Sequence, residues 1–171
     1  ERGEWSVPYN GRPGIADLEN YGYLPSDLYG TSVAWVQELA WADEAMANLA
    51  TGLGQAEQAA YFADLSTTWQ NQYDPAVGFF HARLSDGSFS STFSEDTWTD
   101  EYDEGDAWQY LWPSPWEPQA LADTLGGTDT ALARLATFFD EAEALGVVDL
   151  PPPTYWHGNE PDLHTAWLAA L

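Results

Sequence analysis

The sequence predicts an all-α fold built from antiparallel helical hairpins, with one small β-hairpin inserted between them. Three observations carry that expectation. Apolar residues recur at alternating steps of three and four over long stretches, short glycine turns separate those stretches, and a single segment carries a strand–turn–strand signature. Residues 1–30 show no sustained period and read as irregular. In "TSVAWVQELAWADEAMANLATGLG", Thr31 or Ser32 opens a helix whose stripe is Trp35, Leu39, Ala42, Met46, Leu49 and Leu53. Gly52 and Gly54 supply its stop. "QAEQAAYFADLSTTWQNQY" repeats the device with Ala59, Phe62, Ser66, Trp69 and Tyr73, so the pair forms a helical hairpin.

The period then changes. "DPAVGFFHARLSDGSF" holds a Gly-ended turn, an extended run over 79–84 and the turn signal "SDG", which together predict the β-hairpin. Residues 94–106, "SEDTWTDEYDEGD", form an acidic loop. "AWQYLW" is expected to be helical until Pro113 and Pro115 interrupt it, with helix resuming over 117–125. "GGTD" ends that helix and caps the next, whose stripe is Leu132, Leu135, Phe139, Ala142 and Leu145. "GVVDLPPP" is an extended connector, and Pro161 sits in the favoured first turn of a last helix. Helical hairpins with long, acidic, aromatic loops on one side suit a closed toroid with its ligand site at the loop end.

Charge narrows the partners. Against 28 Asp and Glu stand 4 Lys and Arg, a formal net charge of −24, which repels a phosphate backbone or an anionic membrane. Cations and neutral ligands such as sugars fit better. With no cysteine, disulfides and thiolate metal sites are excluded. No apolar stretch approaches the roughly 18 residues of a membrane span. The start lacks a signal-peptide pattern and a Met, and the end falls early in a helix, as expected of a segment of a longer polypeptide.

Two segments can carry chemistry. The first holds seven acids: Glu95, Asp96, Asp100, Glu101, Asp103, Glu104 and Asp106. Clustered carboxylates raise one another's pKa, which suits a general acid, and their oxygens suit Ca²⁺. They also suit a merely solvated loop. An EF-hand is excluded, because Gly105 at loop position six would put Tyr102 and Leu111 at ligand positions. Trp108 and Trp112 beside these acids suit a sugar ring or a core. In the second segment, "HGNEPDLH", His157, Asn159, Glu160 and His164 can bind a metal or sugar hydroxyls, or simply cap a helix. The spacing is not that of the HExxH zinc signature. His81 reads as structural. No phosphate loop, no GxSxG elbow and no basic–aromatic pattern is present.

Taken together, "EGDAWQYLW" and "YWHGNEPDLHTAWLAAL" resemble glycoside hydrolase family 92, calcium-dependent exo-acting α-mannosidases. That family carries Glu-Gly-Asn-Ala-Trp-Gln-Tyr and, later, His-Gly-Asn-Glu-Pro followed by two His. "GYLPSDLYG", "YDPAVGFF" and "LADTLGGTD" are similar to further family stretches in the same order. The resemblance implies that residues 1–171 are a middle slice of an (α/α)6 catalytic domain, between an N-terminal β-sandwich and a later segment. It implies a secreted or periplasmic, inverting enzyme that removes mannose from glycans and binds Ca²⁺. Glu104 falls at the general-acid position. Gln109 and Asn159 fall at calcium-site positions, and His157 and Glu160 where mannose hydroxyls are held, with Trp108 and His164 completing the expected sugar site.

Three departures stand out. Asp106 replaces the family's Asn, Leu163 replaces the first of the two His, and the Asp-x-Gly-Gln motif supplying the catalytic base falls outside these residues. An inverting reaction needs that second carboxylate at roughly 6.5–9.5 Å. The 171 residues alone are therefore expected to be inactive, with the rest of the same polypeptide as their partner. Two other readings remain open: a non-catalytic carbohydrate- or calcium-binding module, and a toroidal glycosidase for another sugar.

Overall fold

The computed structural model describes residues 12, 14–145 and 154–170, and for Ala144 and Leu145 the backbone alone. The chain packs as two units, Glu1–Gln72 with Ala82–Ser90, and Tyr73–His81 with Ser91–Leu171.

Among the described residues, the first element of the first unit is a helix that its irregular-looking sequence hid. Helix α1, Ile15–Tyr21, lies between Gly14 and Gly22, both left-handed at φ 71° and 77°. At seven residues it is too short to display a period, but it buries Ile15 and Leu18. Helices α2, Ser32–Gly52, and α3, Ala56–Leu65, form the expected hairpin across a turn that includes Gly54 at φ 70°. The core of this unit joins Ile15, Leu18, Tyr23, Leu24, Val36, Leu39 and Leu65.

Which face of α2 is buried differs from expectation. Of the predicted stripe only Leu39 is buried, whereas Trp35, Met46, Leu49 and Leu53 are 38%, 41%, 55% and 67% exposed. The buried line is instead Val33, Val36, Ala40, Asp43, Ala47 and Ala50. Both faces are apolar, so periodicity cannot choose between them. Small alanines allow close approach of neighbouring backbone, and the large side chains are left outside. Helix α3 also stops early. Its predicted continuation, Ser66, Trp69 and Tyr73, passes into a 3-10 turn over Thr68–Gln72 and a strand, although Trp69 is fully buried.

The second unit opens with two short antiparallel strands, β1 (Tyr73–Asp74) and β2 (Phe79–Phe80), registered Tyr73 to Phe80 and Asp74 to Phe79. Asp74 organises the turn between them, since its Oδ1 accepts the Ala76 N–H at 2.9 Å and its carbonyl the Gly78 N–H at 2.8 Å. His81 is structural, as expected: its Nδ1 lies 3.2 Å from Asp74 Oδ2 and its Nε2 3.1 Å from the Thr92 carbonyl. The predicted "SDG" turn exists too, closed by the Arg83–Phe89 bridge, but it belongs to the first unit.

Helices α4, Pro118–Thr124, and α5, Thr128–Leu145, meet across Gly126 and Gly127, at φ 99° and 105°. The buried line of α5 is Ala131, Leu135 and Phe138, one residue away from most of the expected stripe. Leu132, Phe139 and Ala142 flank it half-buried. "AWQYLW" forms only a 3-10 turn, Gln109–Leu111, before Pro113 ends it. The last predicted helix is likewise two 3-10 turns, Glu160–Asp162 and Thr165–Ala170. The extended connector expected over 146–153 lies outside the described residues. Among the described residues no helix is long and apolar enough to cross a membrane.

Phe138 is the hub of this unit, fully buried with ring contacts to Trp108, Trp112, Phe139 and Tyr155. Its truncation leaves a cavity among four rigid rings that cannot collapse. Phe138→Ala is expected to lower unfolding free energy by about 3–5 kcal/mol in urea titrations; a loss below about 1 kcal/mol would show that Phe138 is not central to this packing.

Candidate functional site

Two stretches 50 residues apart meet in the second unit. The first is "DEGDAWQY", which leads from the acidic loop into the Gln109–Leu111 turn. Its aromatic residues fasten it: the Tyr102 hydroxyl donates to the Phe80 carbonyl at 2.7 Å, and the Tyr110 hydroxyl to the Asp103 carbonyl. Glu104 has a left-handed backbone at φ 56°, unusual for a non-glycine residue and worth about 1 kcal/mol or more of strain. Its side chain is exposed. Gly105 follows because nothing larger fits. A Cβ there would sit 2.8 Å from the Tyr110 ring and 2.9 Å from Gln109 Oε1.

The second stretch, "TYWHGNEPD", is a tight turn drawn together by its own carboxylate. Asp162 Oδ2 accepts the Trp156 N–H at 2.7 Å, while the Asn159 N–H donates to the Trp156 carbonyl at 2.9 Å. Gly158 is required here as well, since a Cβ would lie 2.6 Å from the Trp156 ring.

Gln109 and Asn159 join the two stretches. Asn159 Nδ2 donates to the Glu104 carbonyl at 2.7 Å and lies 3.4 Å from Gln109 Oε1. Because a carbonyl can only accept, this contact fixes which end of the Asn159 amide faces Glu104. Gln109 Nε2 reaches the Thr154 carbonyl at 3.3 Å and, at the long limit of 3.5 Å, Asp162 Oδ2. Both amides are buried, at 1% and 5% exposure. Glu104, Gln109 and Asn159, all expected site residues, are thus brought into direct contact.

The other expected residues lie around this link. His157 and Glu160 are exposed on the turn that carries Asn159, and His157 Nδ1 is 2.5 Å from the Tyr155 hydroxyl. Trp108 is half-buried, edge-on to Phe79, stacked with Phe138 and beneath the Arg134 guanidinium, so much of its ring is committed to packing. His164 donates its Nε2 proton to the Trp112 carbonyl at 2.6 Å, and burial holds its pKa below the ordinary value.

Two further acids lie closer to the link, Asp106 from the acidic cluster and Asp162, which sequence reasoning did not select. Asp106 and Asp162 are both fully buried. Asp106 Oδ1 accepts the Gln109 N–H at 3.1 Å, which starts the 3-10 turn. Burial pushes the Asp106 carboxyl up to about 7, against the opposing backbone hydrogen bonds from Gln109 and Trp108. Burial, with the added charge of Asp106, pushes Asp162 up to about 8. Asp106 had shown itself as the last of the seven clustered acids and as a departure from a motif. Asp162 gave the signal of an acid three residues after Asn159 in a Pro-started turn, the spacing that returns a side chain to the same side.

The chain matches the glycosyl hydrolase family 92 catalytic domain over residues 1–170. It belongs to that family. An inverting mannosidase of family 92 from Bacteroides thetaiotaomicron superposes with a TM-score of 0.85 at 24% identity, over 97% of this chain and 24% of that one. A family 92 α-mannosidase from the same organism, in complex with mannoimidazole, gives 0.77 at 28% identity, over 88% of this chain and 22% of that one. The chain therefore spans about a quarter of the length of these relatives, and its helical hairpins are part of the family's α/α toroid. No curated protein sequence matches it significantly.

The donor set suits the Ca²⁺ expected from this family. Asp106 Oδ2, Asp162 Oδ1 and Thr154 Oγ1 are buried without a hydrogen-bond partner, and Gln109 adds an amide oxygen. Hard oxygen donors of this kind are what Ca²⁺ takes. Among the described residues no group of three or more His, Asp and Glu is arranged for a metal, so amide and hydroxyl oxygens would have to complete such a site.

The raised carboxyls have a consequence for stability. Their ordinary value is 3.8, so between about pH 4 and their folded values the folded chain holds protons that the unfolded chain has released. The stability they contribute is therefore greatest at the acid end of that window and falls as pH rises through it. In chelator, the urea midpoint is expected to fall from about pH 5 to about pH 8 more steeply than in the Asp106→Asn/Asp162→Asn double variant. Equal slopes would remove this pair as the cause.

Proposed function

We propose that this chain is part of the catalytic domain of an inverting, calcium-dependent α-mannosidase, with Glu104 as general acid. One observation carries the reading: Asn159 of "HGNEP" is bonded to the main chain of Glu104 and lies against Gln109, so the two family segments form one site. The exposed Glu104 side chain stands beside that buried link, free to meet a substrate. Family membership and the mannosidase neighbours support mannose as the sugar.

In this reading Glu104 donates its proton to the glycosidic oxygen as the bond to the anomeric carbon breaks. Water attacks the opposite face, activated by a carboxylate elsewhere in the same polypeptide, roughly 6.5–9.5 Å away. His157 and Glu160, exposed on the Asn159 turn, hold sugar hydroxyls, and Trp108, stacked on Phe138, and His164, bonded to the Trp112 carbonyl, complete the sugar site. Gln109 and Asn159 hold the calcium. When bound, the metal supplies a positive charge that orients and polarises the sugar's hydroxyls. We place the enzyme outside the cytoplasm, secreted or periplasmic, acting on terminal α-linked mannose of glycans.

Replacing Glu104 by Gln keeps the shape and removes the proton. In the full-length enzyme, Glu104→Gln is expected to cost about 10²–10⁴-fold in kcat/KM on unactivated α-mannosides, the range for general acid catalysis. An aryl mannoside with a good leaving group needs little protonation and should lose far less. Unchanged turnover on both substrates would exclude Glu104 as the acid.

A further inference from the structure

The cluster around Gln109 contains more oxygen than its hydrogen bonds use. Asp106 and Asp162 are both at 0% exposure, and Thr154 is at 1%. Each is tied to Gln109 by one group: Asp106 through the Gln109 N–H, Asp162 and Thr154 through Gln109 Nε2. Each also keeps a second oxygen, Asp106 Oδ2, Asp162 Oδ1 and Thr154 Oγ1, that meets no hydrogen-bond donor. Two of these three oxygens belong to carboxylic acids, whose ionised form needs a partner. A buried carboxylate without a compensating charge is costly.

Among the described residues no basic side chain offsets it. The chain has only 4 Lys and Arg in total. Arg12 pairs with Asp43, Arg83 donates to the Gly87 and Asn71 carbonyls, and Arg134 donates to the Gly78 carbonyl. Among the described residues neither Asp106 nor Asp162 takes part in a salt bridge. A site with two carboxylates, a hydroxyl and amide oxygens, and no basic side chain, is complementary to a hard divalent cation. Calcium accepts six to eight oxygens in flexible geometry, which suits ligands drawn from two separate turns, whereas Mg²⁺ demands a stricter octahedron.

We propose that Asp106, Asp162 and Thr154 are oxygen ligands of the calcium centre, directly or through one water, alongside Gln109 and Asn159. This inference rests on the calcium-binding reading of the site given above, and goes beyond it by converting a neutral amide site into an anionic one. The added negative charge raises affinity for Ca²⁺. It also makes the metal structural: without it, the "EGDAWQY" and "HGNEPD" turns hold two carboxylates against the same glutamine.

The test is calorimetric titration of Ca²⁺ into the complete, chelator-stripped protein at high salt, which screens the general acidity of the surface. Asp106→Asn and Asp162→Asn are each expected to weaken Ca²⁺ binding at least tenfold, and the double variant to lose it. Terbium luminescence gives a second readout for any variant that folds poorly in calorimetric amounts. Trp156, whose backbone N–H donates to Asp162, is the intended sensitiser, and its signal should weaken in Asp162→Asn and Thr154→Val and disappear in the double variant. Without metal, and at alkaline pH where both carboxyls are ionised, the double variant should unfold at higher urea than wild type, because two buried charges have gone. Wild-type affinity in the double variant overturns the proposal while leaving calcium at Gln109 and Asn159 intact. No Ca²⁺ binding by the wild type also overturns it and leaves buried water as the partner of these oxygens. A protein that binds Ca²⁺ through these residues yet cleaves no mannoside overturns the hydrolase reading alone.

Discussion

The Asn159 side chain is the point on which the candidate site depends. It ties the Glu104 carbonyl to the "HGNEP" turn across 55 residues of sequence and lies against Gln109 in a buried setting. A single buried hydrogen bond contributes only about 1 kcal/mol net, but leaving its partners unsatisfied costs about 1–3 kcal/mol each. The larger effect is geometric. Glu104 carries a left-handed backbone that a non-glycine residue adopts only when its surroundings enforce it. The fastening of its carbonyl by Asn159, and of the preceding loop by Tyr102 and Tyr110, supplies that enforcement.

Behind this link stands the aromatic packing of the second unit. Phe138 on α5 touches Trp108 and Trp112 on one segment and Tyr155 on the other, so the same ring supports both halves of the site. The two glycines at 105 and 158 permit the close approach that the link requires. The proposed general acid, the acidic loop and two buried aspartates bring carboxyl groups to this part of the unit, and the proposed cation would offset their charge.

Much of this was legible in the residues. The helical hairpins over α2–α3 and α4–α5 follow from apolar repeats punctuated by Gly54 and by Gly126 and Gly127. The role of His81 as a structural residue follows from its place in an extended run, where Asp74 and the Thr92 carbonyl receive it. Gln109 and Asn159 were found because two short segments resemble one family's pair. The rest was hidden for physical reasons. Helix α2 is apolar on two faces, so its repeat could not reveal that the alanine side goes inward. Helix α1 is shorter than two turns of a repeat plus its caps. Asp162 was passed over because a solvated aspartate and a buried one are the same letter, and only the turn that returns it to the Trp156 N–H separates them.

The account's central claim is that the two turns act as one unit through Gln109 and Asn159. A double-mutant cycle on unfolding free energy, with Gln109→Ala, Asn159→Ala and both together, measures that coupling directly. Residues in one hydrogen-bond network show interaction energies of about 0.5–3 kcal/mol, and a value in that range is predicted here. Strict additivity of the two substitutions would contradict the claim, because it would mean that the turns are held in place independently of each other.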